Sequence, residues 1–431
     1  MEQLQINPTK SLKGIIELPG DKSISHRAVI ISSLANGVSE IENFLEGEDC
    51  LRTLNNLQKL GVKIEKKDKK IFIYGSGLFG LKEANDILDV GNSGTTIRLL
   101  CGLLSGQNFY SVLTGDESIK KRPMDRVINP LTQMGARIFG RINNSYAPLA
   151  VAGGKLRPIS YLMPTASAQV KSAILLAGLL TEGETEVIEK VPSRNHTELM
   201  LKHFGAKIKT EGLKIKITGS SPLQANKIKI PGDISSAAFF IVGASILEGS
   251  DIVIRNVGIN FTRGAIIDIL KMMGADIQIL ENKTEYGGEE TADIRVKGSP
   301  LKGVTIEGDI IPRIIDEIPI LAIAGLFAEG ETIIRGAGEL RIKETDRIKA
   351  LSVELQKSGA EIEELPDGMI IRGNRDINGT AFESYNDHRM AMSLAIMGLR
   401  AKGKTVIKNT SCIKTSFPDF EKTLNNLVKG E

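Results

Sequence analysis

The stretch Leu18-Pro19-Gly20-Asp21-Lys22-Ser23-Ile24-Ser25-His26-Arg27 leads from the end of a strand, through a Pro-Gly turn, into an apolar helix at 28–34. Its candidate N-caps are the polar residues Asp21, Ser23 and Ser25. Lys22 and Arg27 add two cations where unpaired backbone N–H groups and the helix dipole already favour an anion. The stretch by itself fits either a simple helix cap or an anion site.

The same pattern recurs along the whole chain, which argues against a simple cap. A turn, a polar cluster, an apolar helix rich in small residues, a glycine and a β-rich run begin near residues 18, 88, 162, 230, 306 and 385. A second, amphipathic helix follows each copy. Five of these helices end in a glycine, which is typical of a left-handed C-cap: Gly61, Gly135, Gly205, Gly274 and Gly359. We therefore predict six units of strand, helix, strand, helix and strand.

The pattern of charge within each unit predicts how the units fold. The first helix has almost no charge beyond its first turn and must be buried on all sides, whereas strands such as 214–217 alternate and keep one face in water. We predict an α/β fold of two domains, because 431 residues exceed one ordinary core. Each domain would be an inside-out α/β barrel of three repeats, with buried parallel helices whose N-termini meet at one end and with solvent-facing sheets.

The turn at Pro19–Asp21 recurs at Pro231–Asp233, half a chain later. The two turns predict a hinge between an N-terminal domain of 21–230 and a C-terminal domain of 1–20 plus 232–431. Two unrelated turns are the alternative.

Composition excludes several classes of function. Lys plus Arg number 55 and Asp plus Glu 52, so a polyanionic partner is not indicated, and 4% aromatic residues with no Trp argue against single-stranded nucleic acid. The three cysteines are far apart and in no metal-binding spacing, which predicts reduced thiols and no metal site: Cys50, Cys101 and Cys412. The N-terminal segment has no apolar signal core, and the longest apolar runs, at 318–327 and 173–180, fall well short of the ~20 residues that a membrane span needs. We therefore expect a cytoplasmic protein.

Comparison of the copies indicates where chemistry has been added. The copy near residue 230 has a plain cap without a cation and serves as the reference. Other copies place cations near their helix starts, and Asp316 with Glu317 lies in an apolar helix, where a carboxylate is costly unless it is paired or used. Simpler explanations remain open: a solvated loop at 120–126, an exposed ion-paired turn at 343–347, and structural roles for His196 and His388. Together the cations favour a cleft for small, multiply anionic substrates.

Nine segments of the sequence match the motifs of a known family. They are PGDKSISHR (19–27), GNSGTT (91–96), KRPMDR (121–126), SAQVK (167–171), RNHTE (194–198), the segment around Asp316, RIKETDR (341–347), YNDHRMAM (385–392) and KTSFPDF (414–420). In this order, and over essentially the full length, the chain resembles the enolpyruvyl transferases. Within them it resembles the 5-enolpyruvylshikimate 3-phosphate (EPSP) synthase family, in particular its second class, whose members often tolerate the herbicide glyphosate.

The resemblance implies a reaction and a set of site residues. Phosphoenolpyruvate (PEP) and shikimate 3-phosphate would give EPSP and phosphate by addition and elimination, in a monomer without metal or organic cofactor. Shikimate 3-phosphate would be bound by Lys22, Ser23, Arg27, Ser167, Ala168, Gln169, Ser193, Arg194, Asp316 and Lys343. PEP would be bound by Lys22, Asn92, Gly94, Arg122, Gln169, Arg347, Arg389 and Lys414. The catalytic residues would be Asp316, which accepts the proton of the 5-hydroxyl, Glu344, which protonates the PEP methylene carbon, and Lys22. Domain closure would bring Lys22 and Arg122 to face Asp316 and Arg389.

Two other functions are alternatives to this one. The sister enzyme that transfers enolpyruvate to UDP-N-acetylglucosamine carries a reactive cysteine where this chain has Glu117. A silent repeat scaffold that binds a phosphometabolite predicts charged residues scattered around the copies rather than gathered at helix starts. His196 and Glu339 depart from the family pattern of Tyr and Asn, so substrate contacts there are not expected to be retained.

Overall fold

The protein is described by a computed structural model that covers residues 2–284, 287–373 and 376–430. It is a mixed α/β structure. Its strands are β1 (Gln3–Ile6), β2 (Lys13–Glu17), β3 (Ala35–Glu42), β4 (Lys63–Lys67), β5 (Lys70–Ser76), β6 (Leu88–Asp89), β7 (Tyr110–Thr114), β8 (Arg137–Gly140), β9 (Tyr146–Ala152), β10 (Ser160–Leu162), β11 (Glu184–Ile188), β12 (Lys207–Glu211), β13 (Lys214–Thr218), β14 (Leu223–Gln224), β15 (Lys227–Lys229), β16 (Asp251–Gly258), β17 (Asp276–Thr284), β18 (Glu290–Lys297), β19 (Thr305–Ile306), β20 (Glu331–Ile334), β21 (Glu361–Leu365), β22 (Gly368–Arg372), β23 (Ala381–Glu383) and β24 (Thr405–Lys408).

Helices connect these strands. They are α1 (Lys22–Ser33), α2 (Glu48–Lys59), α3 (Gly94–Ser105), α4 (Asp125–Gln133), the single turn α5 (Arg141–Asn144), α6 (Ala168–Leu179), α7 (His196–His203), α8 (Ile234–Ile246), α9 (Ala265–Met272), α10 (Ile311–Ile314), α11 (Ile318–Leu326), α12 (Arg347–Gln356), α13 (His388–Gly398) and α14 (Phe420–Lys429). Short 3₁₀ helices lie at Ile119–Lys121, Gly308–Ile310, Gly338–Ile342 and Thr410–Thr415. None of the described helices is long and apolar enough to cross a bilayer.

The described strands form six sheets, and five of these share one topology. Each of the five has a parallel pair, then an antiparallel pair, then an antiparallel hairpin: β14-β3-β5-β4, β6-β7-β9-β8, β10-β11-β13-β12, β2-β16-β18-β17 and β19-β20-β22-β21. The sixth, β1-β24-β23, has three strands. The complete units at 88–152 and 160–218 therefore have four strands, so the predicted three-strand unit was one strand short. The extra strand arises because the last alternating run of each unit folds back on itself, as at Gly212 between β12 and β13.

The six apolar helices are buried as predicted. Every residue of α8 and α11 is buried, and in α13 all but Arg389. The glycines that end the amphipathic helices adopt left-handed dihedral angles, with φ from 76° to 95°: Gly61, Gly135, Gly205, Gly274, Gly359 and Gly430. The predicted C-caps are confirmed, and they fix where each amphipathic helix ends.

Contacts divide the described chain into two compact units. The N-terminal unit comprises the described residues of Gly20–Ile230 and Glu285–Glu289, and the C-terminal unit those of Met1–Pro19, Pro231–Thr284 and Glu290–Glu431. Each unit has its own apolar core. The chain first passes from the C-terminal unit to the N-terminal unit between Pro19 and Gly20. A Cβ on Gly20 would lie 1.9 Å from the carbonyl oxygen of Asn43, so only glycine allows this close approach of two backbone segments.

Candidate active site

Three buried helices of the N-terminal unit begin with side-chain caps. Asp21 Oδ1 accepts from the Ile24 N–H at 2.9 Å, Ser93 Oγ from the Thr96 N–H at 3.1 Å, and Ser167 Oγ from the Val170 N–H at 3.4 Å. Among the three candidate caps of the first helix the structure therefore selects Asp21. Capping holds each helix start in one conformation and leaves other backbone N–H groups directed outward.

Side-chain hydrogen bonds connect these three helices near their starts. Gln169 Nε2 donates to Thr95 Oγ1 at 3.4 Å, which joins the starts of α6 and α3. Arg27 Nη2 donates to Ser172 Oγ at 2.7 Å, which joins α1 to α6, and Arg27 Nη1 donates to the Ser23 carbonyl at 3.0 Å within α1. The three positive dipole ends therefore act at one place in this unit.

The predicted residues of the second copy also meet. Arg122 Nη2 donates to Asn92 Oδ1 at 2.9 Å, so the loop 120–126 is anchored at Arg122 rather than simply solvated. A Cβ on Gly94 would lie 3.0 Å from Arg122 Nη1 and 2.6 Å from Arg98 Nη1. Arg98, which the sequence reasoning missed, braces this corner by donating to the Gly94 carbonyl at 2.9 Å and to the Pro123 carbonyl at 3.2 Å. Glycine at position 94 is what allows the guanidinium of Arg122 to lie against the helix start.

Lys22 and Arg194 place further positive charge at the same helix starts. Lys22 Nζ forms an ion pair with Asp49, and Arg194 Nη1 donates to Ser23 Oγ at 3.3 Å. Arg27 is almost fully buried and donates from Nε to Thr197 Oγ1 at 2.6 Å. Burial, and next the positive charge of Arg194, lower the pKa of Arg27 to about 10, so this guanidinium stays charged at neutral pH.

Ser193 is held by a buried charged network. Its N–H donates to Glu189 Oε1 at 3.1 Å, and its hydroxyl donates to the same oxygen. Lys171 Nζ, which is 1% exposed, lies 3.0 Å from Glu189 and 2.7 Å from Glu198. The lysine of SAQVK therefore fixes the loop that carries Ser193 and Arg194.

In the C-terminal unit, the placement of Asp316 corrects one expectation. Asp316 and Glu317 do not lie inside a continuous helix, because α10 ends at Ile314 and α11 begins at Ile318, with Pro319 in its first turn. Proline is favoured in the first turn of a helix. In a helix interior it disrupts the helix, because it has no N–H group to donate and its ring clashes with the carbonyl four residues earlier. The break leaves both carboxylates at the start of a buried helix instead of within it.

Three cations surround the Asp316 carboxylate, whose side chain is 14% exposed. Lys343 Nζ and Arg347 Nη1 each lie 3.5 Å from Oδ1, and Arg263 Nη1 lies 3.8 Å from Oδ2. This surrounding charge favours the ionised carboxylate, which is a hydrogen-bond acceptor only. A partly accessible carboxylate with this environment can accept a proton from a bound hydroxyl group.

Arg347 is buried rather than part of an exposed turn. Its Nε donates to Asp387 Oδ2 at 2.7 Å and its Nη2 to Glu344 Oε2 at 2.7 Å, and the side chain is 1% exposed. Burial lowers the pKa of Arg347, but the carboxylates of Asp387 and Glu344 outweigh this and raise it above its usual value. Asp387 also caps α13 by accepting from the backbone N–H groups of Arg389 and Met390. The ion pair and the cap therefore depend on one side chain.

The fourth copy is not the plain cap that the sequence suggested. Ser235 Oγ donates to Glu317, Arg263 Nη2 donates to that hydroxyl, and Arg389 Nη2 lies 3.2 Å from it. Arg389 Nη1 donates to the Asp316 carbonyl at 2.7 Å. The starts of α8, α11 and α13 thus meet in this unit too, and the cations at the fourth cap come from other copies.

Some predicted residues lie in other environments. Lys414 is 54% exposed and pairs with Glu2 at 2.7 Å. His196 is buried with Nδ1 2.7 Å from Glu289 Oε1, which is the structural role that was left open for it. Ala168 contributes the first residue of α6. Within the described ranges, no group of three or more His, Cys, Asp or Glu side chains is arranged to hold a metal ion.

Sequence reasoning missed the carboxylates that neutralise the predicted cations. Asp49 pairs with Lys22, and Glu189 with Lys171. Neither lies in a recognised motif, and an acidic residue in an amphipathic helix or after a strand is ordinary. Only proximity in the folded unit singles them out. Asp387 does lie in YNDHR, directly before the helix, where a cap could have been predicted.

Comparisons with known proteins identify the family to which the chain belongs. The sequence profile of the EPSP synthase (3-phosphoshikimate 1-carboxyvinyltransferase) family matches residues 6–424. The chain is 53% identical over 427 residues to a 3-phosphoshikimate 1-carboxyvinyltransferase of Desulforamulus reducens, with 99% of each chain covered. It is 54% identical over 424 residues to that of Thermoanaerobacter pseudethanolicus, with 98% of this chain and 100% of the relative covered.

A solved structure gives the same result for the fold. The EPSP synthase from Acinetobacter baumannii superposes with a TM-score of 0.88 at 46% identity, covering 99% of this chain and 98% of that one. Because the profile and the relatives extend over nearly the whole sequence, the chain belongs to the EPSP synthase (3-phosphoshikimate 1-carboxyvinyltransferase) family.

Proposed function

We propose that this protein transfers the enolpyruvyl group of PEP to the 5-hydroxyl of shikimate 3-phosphate, giving EPSP and phosphate in the shikimate pathway. The observation that carries the proposal is the partly exposed Asp316 carboxylate among three cations, in a chain that belongs to this family over its length. The carboxylate supplies a proton acceptor, and the cations bind anionic substrates.

The first step is addition. Asp316 takes the proton of the 5-hydroxyl as its oxygen attacks C2 of PEP, while Glu344 gives a proton to C3 and a tetrahedral intermediate forms. Glu344 now accepts from Arg347 at 2.7 Å. When an anionic group of PEP takes over that guanidinium, the carboxyl of Glu344 is released from the charge that keeps it ionised and can act as an acid. Elimination of phosphate with loss of a proton from C3 completes the transfer.

We assign the remaining binding residues as the resemblance to the family implies. Shikimate 3-phosphate contacts Lys22, Ser23, Arg27, Ser167, Ala168, Gln169, Ser193, Arg194, Asp316 and Lys343. PEP contacts Lys22, Asn92, Gly94, Arg122, Gln169, Arg347, Arg389 and Lys414. The capped helix starts support this assignment, because backbone N–H groups and guanidinium groups bind phosphate and carboxylate oxygens. Arg27 and Lys414 contribute after local rearrangement, since their present partners are protein groups.

The finer features of the fold belong to the same proposal. We propose that each unit is an inside-out α/β barrel whose buried helices run parallel, which the meeting of three helix starts in each unit supports. Closure of the two units on the substrates, a monomeric state and a cytoplasmic location remain predictions.

An assay of phosphate release tests the proposal. We expect turnover with PEP plus shikimate 3-phosphate and none with PEP plus UDP-N-acetylglucosamine, and the reverse result would assign the sister activity. Asp316→Ala and Glu344→Ala should each lower turnover by at least about 100-fold, because each removes a proton-transfer group. Binding of shikimate 3-phosphate, measured by calorimetry, should stay largely intact. Near wild-type turnover in both variants would exclude the assigned roles, and binding without turnover in the wild type would favour the silent scaffold.

A further inference from the structure

The motif Asn260-Phe261-Thr262-Arg263 has no role in the reaction described above, yet its arginine reaches the catalytic cluster. The turn is rigid: the N–H and hydroxyl of Thr262 both donate to Asn260 Oδ1, at 2.9 and 2.7 Å, and the Arg263 N–H donates to the Asn260 carbonyl at 2.8 Å. The Arg263 side chain is 3% exposed. A long cationic side chain is therefore aimed inward from a fixed backbone.

The guanidinium of Arg263 contacts acidic or polar groups at two places, the break between α10 and α11 and the start of α8. Nη1 lies 3.8 Å from Asp316 Oδ2, and Nη2 lies 3.4 Å from Glu317 Oε1 and 3.8 Å from Asp233 Oδ1. Nη2 also donates to Ser235 Oγ, the hydroxyl that lies within 3.2 Å of Arg389. The guanidinium of Arg263 therefore contacts both Asp316 and Ser235, the residue that also contacts Arg389.

The other charges that face Asp316 come from different elements. Lys343 and Arg347 approach Oδ1, and Arg347 is itself paired with Asp387 and Glu344. Arg263 approaches the other carboxylate oxygen, Oδ2, and Glu317 is shared between Arg263 and Arg389. Removing Arg263 would take one cation from the Asp316 carboxylate and one partner from the buried Glu317.

We propose that Arg263 is a positioning residue that orients Asp316 and keeps it ionised as the proton acceptor, and that through Ser235 and Glu317 it also fixes Arg389. The inference rests on the proposed function, since it assigns Asp316 as the acceptor of the 5-hydroxyl proton. Arginine suits this task better than lysine, because its planar fork reaches two partners at once and its charge is permanent.

Three variants, each measured by phosphate release as a function of pH, test the inference. In Arg263→Gln, kcat should fall by about 10- to 100-fold while KM for shikimate 3-phosphate changes by less than about threefold. The acid limb of kcat/KM should move to higher pH by about one unit, because loss of a nearby cation disfavours the ionised carboxylate. Arg263→Lys keeps the charge, so its acid limb should match the wild type while kcat recovers in part.

The third variant guards against loss of folding. Arg263→Gln with Glu317→Gln removes the buried cation together with its buried partner. Its acid limb should lie between those of Arg263→Gln and the wild type, because losing the negative charge of Glu317 offsets part of the effect of losing the cation. The control is Arg295→Lys, which changes a half-exposed arginine paired with Asp251 on a strand and should leave the profile unchanged.

The outcomes distinguish failure of the positioning role of Arg263 from failure of the proposed function. A fall in kcat without any shift of the acid limb in either glutamine variant would overturn the positioning role and leave a structural one. A shift in Arg263→Lys equal to that in Arg263→Gln would also overturn it, since charge would then not be the cause. Absence of phosphate release by the wild type would instead refute the proposed function.

Discussion

Replacement of Asp387 by alanine removes a buried ion pair and a helix cap in one step. Asp387 is fully buried, as is its partner Arg347, and their two contacts measure 2.7 and 3.2 Å. The same carboxylate caps α13 at the N–H groups of Arg389 and Met390, at 2.9 and 3.3 Å. We expect this substitution to destabilise the C-terminal unit more than loss of a cap elsewhere.

The size of the effect follows from its two parts. Removing one partner of a buried ion pair costs about 3–5 kcal/mol, because a charge is left buried with fewer partners. Loss of an N-cap adds about 1 kcal/mol. The expected loss for Asp387→Ala is therefore about 4–6 kcal/mol. In Asp387→Asn the cap is kept, and the loss should be smaller by at least about 1 kcal/mol.

Hydrogen exchange followed by mass spectrometry measures the loss of stability separately for each of the two units. Peptides from α13 should lose protection in Asp387→Ala, whereas peptides from α1 should not. Asp21→Ala is the matched control, because Asp21 caps the corresponding buried helix of the N-terminal unit and should cost about 1 kcal/mol. A loss in Asp387→Ala no greater than in Asp21→Ala would refute the claim that the Arg347 pair stabilises this unit.

Two further predictions concern the N-terminal unit. Gly94→Ala should raise KM for PEP by about tenfold, the equivalent of about one hydrogen bond, because its Cβ would lie 3.0 Å from Arg122 Nη1. The control is Gly154→Ala, where a Cβ meets nothing within 4 Å, and it should match the wild type in the same steady-state assay. Burial, followed by the charges of Lys22 and Arg27, lowers the pKa of His26 well below 6.5, so folded His26 stays neutral while the unfolded chain binds a proton. The free energy of unfolding should therefore fall as pH drops through about 6.5 toward the folded pKa, by up to about 1.4 kcal/mol per unit. Urea unfolding between pH 5 and 8 checks this, and an equal slope in His26→Gln would contradict it.

Much of the fold could be predicted because its signals are local. The six apolar helices, their caps and the glycines that end the amphipathic helices depend on residues within a few positions of one another. Asp21 and Gly61 behave as their local sequence indicates. Two local predictions are wrong. The alternating residues of each unit form a hairpin instead of one strand, and the helix predicted around Asp316 is interrupted before Pro319.

The candidate site could be predicted in its residue types but not in its pairings. The motifs supplied Arg347, Arg389 and Asp316, yet the reference copy with Ser235 was wrongly expected to carry no charge nearby. Arg389 reaches the Asp316 carbonyl across 73 residues of sequence, and Ser235 reaches Glu317 across 82. Spacing along the chain contains no information about which of several cations approaches which carboxylate.

The sequence by itself therefore determined the repeat, the burial of one helix in each unit and the family, because hydrophobic period, caps and motif order are properties of neighbouring residues. The tertiary structure alone decided that Lys343, Arg347 and Arg263 surround Asp316, and that Asp49 and Glu189 neutralise buried or half-buried lysines. Electrostatic interactions depend on the distance between charges in space. That distance is set only when helices that are far apart in the sequence pack against each other near their N-termini.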